Sequence, residues 1–324
     1  FTGATDTLTV QSGGIMGMSS QSSAKVFGST ATRGAITTAA GQQELFIYNY
    51  QNNMTINSVI KDNGAPLNVI FSGQSQAVAN TGSIILTAQN TYTGTTYING
   101  LVQSSPTTSG FVTLPGNIVI NGGNNAATGA NDRQATRLIL QNFSNSIAAT
   151  SNITINGSGK LDLNGFSNTI ATLTFVNDSA GTSLNGSEVL TGAGTLTISG
   201  ATAIKSINNI SSTNVPSISG LLTLTNAAPV IQVDAVASNP GQIGLGLNSA
   251  VSVTGNVGFT KTGSGVLGIG GQSDDYGILN VSVGGVAFSA ANSITGGRIN
   301  LAGGTFFDAR GLAGIIGSIT GTGT

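Results

Sequence analysis

The chain has 324 residues, 48 of them glycine, with 39% hydrophobic and only 6% charged residues; ten Lys+Arg against eleven Asp+Glu leave a net charge of −1. Ordinary soluble domains carry about a quarter charged residues, so this surface is solvated by neutral Ser, Thr, Asn and Gln, and it offers no electrostatic footprint to nucleic acid or to an anionic membrane. Cys and His are absent, which removes disulfides, ordinary zinc sites and Ser-His-Asp or Cys-His nucleophiles.

Taken in chain order, alternation dominates. Glu44-Leu-Phe-Ile-Tyr-Asn-Tyr50 and Met54-Thr-Ile-Asn-Ser-Val-Ile60 come first, followed by Ile118-Val-Ile120, Ile153-Thr-Ile155 and Leu161-Asp-Leu163. Leu196-Thr-Ile198, Leu222-Thr-Leu224, Val251-Ser-Val253 and Val281-Ser-Val283 continue the pattern. Period two puts the aliphatics on one face of a strand and Thr, Ser, Asp or Asn on the other. Asn-Gly pairs such as Asn63-Gly64, Asn99-Gly100, Asn121-Gly122 and Asn156-Gly157 supply the residues that best tolerate positive φ at turns. Gln74–Ala79 and Ala235–Ser238 have room for a helical turn, but no amphipathic stretch of helical length occurs. No run of 18 apolar residues suggests a membrane span. The expectation is all-β.

Self-similarity sharpens it. Asn156-Gly-Ser-Gly-Lys-Leu-Asp-Leu-Asn-Gly165 superposes on Thr191-Gly-Ala-Gly-Thr-Leu-Thr-Ile-Ser-Gly200 and on Thr262-Gly-Ser-Gly-Val-Leu-Gly-Ile-Gly-Gly271. Ile294-Thr-Gly-Gly-Arg-Ile-Asn-Leu-Ala-Gly303 follows more loosely. The starts at 156 and 191 lie 35 residues apart and the next, at 262, follows after 71; a near-repeat of roughly 35 residues without helices points to a β-solenoid or a propeller. The solenoid is preferred, because two or three aliphatics per strand bury a face only when neighbouring units stack. At roughly 20 residues per coil and ~4.8 Å per strand, the chain makes about 16 coils in a rod on the order of 75 Å long. Residues 1–324 are expected to form one continuous solenoid, with irregular coils or insertions at 104–137 and 237–250.

Gly82-Ser-Ile-Ile-Leu-Thr-Ala-Gln-Asn-Thr-Tyr92-Thr-Gly-Thr-Thr-Tyr-Ile-Asn-Gly100 resembles the autotransporter-associated β-strand repeat, with its Asn-Thr-Tyr-Thr-Gly motif between two strands. Lys261-Thr-Gly-Ser-Gly-Val-Leu-Gly-Ile269, Leu161–Leu173 and Gly303-Gly-Thr-Phe306 are similar to strands of the same family. The resemblance implies a right-handed parallel β-helix within the passenger region of a type V secreted protein, standing on the surface of a Gram-negative bacterium. Tyr92 is then a corner anchor. Ile319-Thr-Gly-Thr-Gly-Thr324 looks like the opening of a further copy, so the chain is expected to be part of a longer polypeptide or to stack end to end.

Few residues suggest chemistry. Asp274-Asp275 is the one adjacent acidic pair, which a turn could gather around calcium, although a solvated loop tip is the plainer reading. Gly263-Ser-Gly-Val-Leu-Gly268 satisfies a dinucleotide fingerprint only formally, since no helix is expected after it. Asp132-Arg133 with Arg137 is the densest charged cluster; Arg133 and Arg137 could clamp a carboxylate or sulfate, against local ion pairing in a loop. Phe46, Tyr48 and Tyr50 share one strand face, which stacks on sugars or a neighbouring subunit if outward and packs the coil if inward. Packing is the preferred role.

A non-enzymatic, cofactor-free surface rod, stalk or adhesin is therefore the leading expectation, with surface glycans or further copies of itself as partners. A self-assembling subunit of an extracellular filament, sheath or surface layer shares the fold. A polysaccharide-active β-helix enzyme would require carboxylates converging on one face, whereas the eleven acidic residues here are scattered along the chain.

Overall fold

The computed structural model describes residues 1–18, 25–50, 52–74, 82–122, 136–177, 186–208, 214–237, 239–270, 277–290, 297–311 and 317–324. Its strands wind as a parallel β-solenoid, each pairing with a strand one coil away. One long sheet, sheet I, has 13 strands and begins with β2 (Gly14–Gly17), β5 (Glu44–Tyr50), β8 (Asn68–Gln74), β10 (Thr96–Asn99), β12 (Ile118–Asn121) and β14 (Asn152–Asn156). It continues through β17 (Thr172–Asn177), β19 (Thr202–Asn208), β21 (Val230–Val233), β23 (Phe259–Thr262), β25 (Ile278–Val281), β27 (Arg298–Leu301) and β29 (Ser318–Gly321).

Sheet II stacks β3 (Lys25–Phe27), β6 (Met54–Ile56), β9 (Ile84–Leu86), β11 (Leu101–Ser104), β13 (Arg137–Leu140) and β15 (Lys160–Asp162). Above them lie β18 (Glu188–Ile198), β20 (Ser217–Leu224), β22 (Ile243–Val253), β24 (Val266–Ile269), β26 (Gly285–Phe288) and β28 (Phe306–Asp308). A third wall starts as β1 (Thr7–Val10), β4 (Ala35–Thr38) and β7 (Val59–Ile60). Its line continues through the Leu114–Ile147 bridge and β16 (Asn168–Ile170), which pairs with the second half of β18. That half then pairs with β20, and β20 with β22, so Leu196, Leu222 and Val251 lie in one row.

Where the third wall lacks a regular ladder, side-chain amides complete it. Asn90 Oδ1 accepts from Ile60 N at 2.8 Å, and Asn90 Nδ2 donates to Thr113 O at 2.7 Å. Asn168 Oδ1 accepts from Ile147 N at 3.1 Å. Backbone groups turned into a dry coil need such partners, which explains asparagine at buried positions in a chain so poor in charge.

Along sheet I the coil length varies from 20 residues, between Asn280 and Asn300, to 35, between Asn121 and Asn156. Thirteen rungs replace the sixteen expected, because long excursions enlarge several coils; at ~4.8 Å per rung the stack is about 58 Å. The sequence superposition also fails as a structural register. Leu161 stacks on Val189, not on Leu196, and Leu196 lies beside Asn168. Val266–Ile269 belongs to sheet II, whereas Arg298–Leu301 belongs to sheet I. The strand that ends the shared frame serves either sheet.

One further expectation needs correction. Val283 does not extend the β25 alternation; it lies past the strand and is 47% exposed. Within 237–250 the chain enters β22 at Ile243, and the described part of 104–137 carries Leu114 and β12. Thr254–Asn256 is the single helical turn among the described residues.

One core runs from Ile36 to Leu301, filled by alternate residues of every wall. Tyr92 is fully buried, with its hydroxyl 2.6 Å from Thr96 Oγ1. Lys261 also points inward, in the row between Ile231 and Val281. Its ammonium donates to the carbonyls of Gly263, Gly265 and Val283, the last at 2.8 Å, and thereby ties two successive coils at one corner. The G-x-G-x-x-G segment is this corner plus β24, a strand where the fingerprint needs a helix.

Candidate binding surface

Strand β5 sets the surface. Leu45, Ile47 and Asn49 are buried, so Glu44, Phe46, Tyr48 and Tyr50 point away from the core. The aromatic stripe thus lies on the outer side, not in the packing role preferred from sequence, because Leu45 and Ile47 already occupy the interior at 0% exposure. Phe46 is 49% exposed.

Parallel register converts this alternation into rows along the solenoid axis. Gly14, Phe46, Ile70, Tyr97 and Val119 form one row on the outer face of β2, β5, β8, β10 and β12. On one side runs a polar row, Glu44 beside Asn68. On the other side Met16, Tyr48, Ser72 and Asn99 are aligned. Asn121 Nδ2 donates to Asn99 Oδ1 and Asn156 Nδ2 to Asn121 Oδ1, each at 2.8 Å, so this second flank continues as an amide ladder.

Beside the Glu44 row opens a cleft of about 550 Å³ lined by Ala40, Gly41, Gln42, Gln43, Glu44 and Asn68. Its rim is held in shape. Asn63 Nδ2 donates to Ala39 O at 2.6 Å and to Gln42 O at 2.8 Å, and Asn68 Oδ1 accepts from Thr95 N at 2.9 Å. The arrangement is a narrow apolar strip with hydrogen-bonding groups on both sides and one carboxylate.

The other residues singled out from sequence fall elsewhere. Arg137 lies on the outer side of sheet II, where its guanidinium pairs with Asp162; next to it Lys160 Nζ is 2.9 Å from Glu188 Oε2. Asp162 Oδ1 also accepts from Asn164 N at 2.7 Å. The four charges neutralise one another, and the Arg137 guanidinium is engaged by a carboxylate of its own chain. Asp132, Arg133, Asp274 and Asp275 lie outside the described residues. Among the described residues no three His, Cys, Asp or Glu side chains gather as a metal site would require.

Sequence reasoning missed Arg33. Its guanidinium lies 5.4 Å from the Phe111 ring centroid, donates to Asn57 O at 3.0 Å and bonds Thr107 Oγ1, strapping coils together on the outside. A lone arginine carries no local signal of such a span; only the coil-to-coil register brings these partners together.

No family model, curated protein or solved structure matches the chain. Among the described residues, no helix is long and apolar enough to cross a membrane.

Proposed function

We propose that this chain is a rod segment of an exported bacterial surface protein, in the manner of an autotransporter passenger, whose work is structural and adhesive rather than enzymatic. The observation that carries this reading is the pair of long parallel sheets, thirteen and twelve strands, stacked around a single core. Such a stack is extended by repetition, and its stability rests on contacts between adjacent coils. The resemblance at Asn90–Gly94 supplies the route of export and the Gram-negative setting. The outward row of Phe46, Ile70, Tyr97 and Val119, with Phe46 exposed and the others half-buried, supplies the adhesive half of the reading, since contiguous apolar surface marks interaction sites.

The test is where the protein stands in its own host. Intact cells should lose the epitope to added protease and should bind an antibody raised against residues 1–324. An epitope reached only after cell lysis removes the proposal.

A further inference from the structure

The geometry points to the outer face of sheet I between β5 and β12 as a binding site for a neutral, extended polysaccharide lying along the solenoid axis. This deepens the adhesive reading and rests on it. Phe46 and Tyr97 stand in the same row two rungs apart, about 9.6 Å at the usual strand spacing. That separation is close to the length of two pyranose units in an extended chain, so successive rings meet alternate sugar faces, with Ile70 between them. Aromatic faces stack on the C–H side of a pyranose, and hydroxyls at the sugar's edge then need partners on either side.

Both flanks provide those partners. Glu44 and Asn68 border the strip at the cleft, and Ser72 and Asn99 border it opposite. No Lys or Arg stands in these rows, and Glu44 is their one charged residue, which suits a polyol and disfavours an acidic chain. Size disfavours a second copy as the occupant. Four rungs by the width of β5 cover about 14 Å by 20 Å, on the order of 300 Å², whereas a stable protein interface buries about 800 Å² per partner.

Calorimetric titration of the purified chain with cellohexaose, maltohexaose, mannohexaose and chitohexaose, alongside hexagalacturonate, tests the assignment. At least one neutral hexasaccharide should bind. Phe46→Ser and Tyr97→Thr should each weaken that binding by about tenfold or more, while Phe46→Tyr, which keeps a ring, should preserve it. Val283→Ser, exposed elsewhere, should leave it unchanged. Circular dichroism identifies any variant that has lost the fold, and the ring-preserving Phe46→Tyr arm then stands against the others. Absence of binding to every neutral sugar, equal binding of hexagalacturonate, or affinity indifferent to Phe46 and Tyr97 overturns the assignment. So does sedimentation showing a dimer that Phe46→Ser dissolves. Because the titration uses isolated protein, its failure with surface exposure intact removes the glycan site alone.

Discussion

Phe46 on sheet I and Phe306 on sheet II both belong to outer faces, yet the two faces treat apolar side chains differently. Phe46 stands out at 49% exposure. The Phe306 ring instead lies over Gly285 on the neighbouring strand, occupying the space a Cβ there would need, and Ile243 lies over Gly268 in the same way, 2.8 Å from such a Cβ. With Val266 and Ala287 these residues make a second, smaller apolar cluster outside the sheet. Lower on the same face, Leu101, Ile139, Lys160 and Asp162 are all less than a tenth exposed. The lesson is that glycine and paired charge let one face of a solenoid seal itself, while the rungs around β5 leave aromatic surface bare.

Four substitutions or conditions sharpen that contrast. On the sealed face, Asp162→Ala leaves the Arg137 charge without its carboxylate; the cost should be up to about 3 kcal/mol, seen as a lowered denaturation midpoint, and Arg137→Met in the same chain should recover most of it. The interior shared by both faces gives the next effect. Burial pushes the Lys261 ammonium down to about 8 from 10.5, with Asp234 opposing. Between those two values the unfolded chain holds a proton that the folded chain has released, so stability should rise with pH from about 8 toward 10, by on the order of 3 kcal/mol. Burial also pushes the Tyr92 phenol well above its ordinary 10.0, so above about pH 10 the unfolded chain ionises more readily and stability should fall again. Lys261→Met should flatten the rise and spare the fall, which thermal unfolding across pH will read.

Gly285→Val is a smaller perturbation of the sealed face. It displaces the Phe306 ring and should cost about 1–3 kcal/mol by overpacking, measurable as a lower thermal midpoint. Smallest of all, Phe46→Ser on the bare face should change stability by no more than about 0.5 kcal/mol. A large loss there would mean that Phe46 serves the fold, and the contrast between the faces would disappear.

Alternation alone makes most strands legible in the amino-acid order. Leu45/Ile47, Ile118/Ile120, Ile153/Ile155 and Leu222/Leu224 all point inward, each at 1% exposure or less. The period-two rule fails at Val283, which sits beyond its strand, because a two-residue pattern does not mark where a corner begins. The glycine frame fails in another way: the strand it leads into belongs to sheet II at Val266–Ile269 and to sheet I at Arg298–Leu301. The candidate surface is half legible. The stripe Phe46, Tyr48, Tyr50 is visible as one face, but whether that face looks inward depends on Leu45 and Ile47 winning the interior, which adjacent coils decide.

By itself the amino-acid order determined the all-β character, the stacking of short strands and the shortage of charge, since all three follow from composition and from side chains two residues apart. Coil length, the partner of each strand and the joining of Phe46 to Tyr97 in one row were decided only by tertiary structure. Those features depend on how far the chain travels before it returns to the stack, and that distance is set by excursions whose length carries no periodic signal.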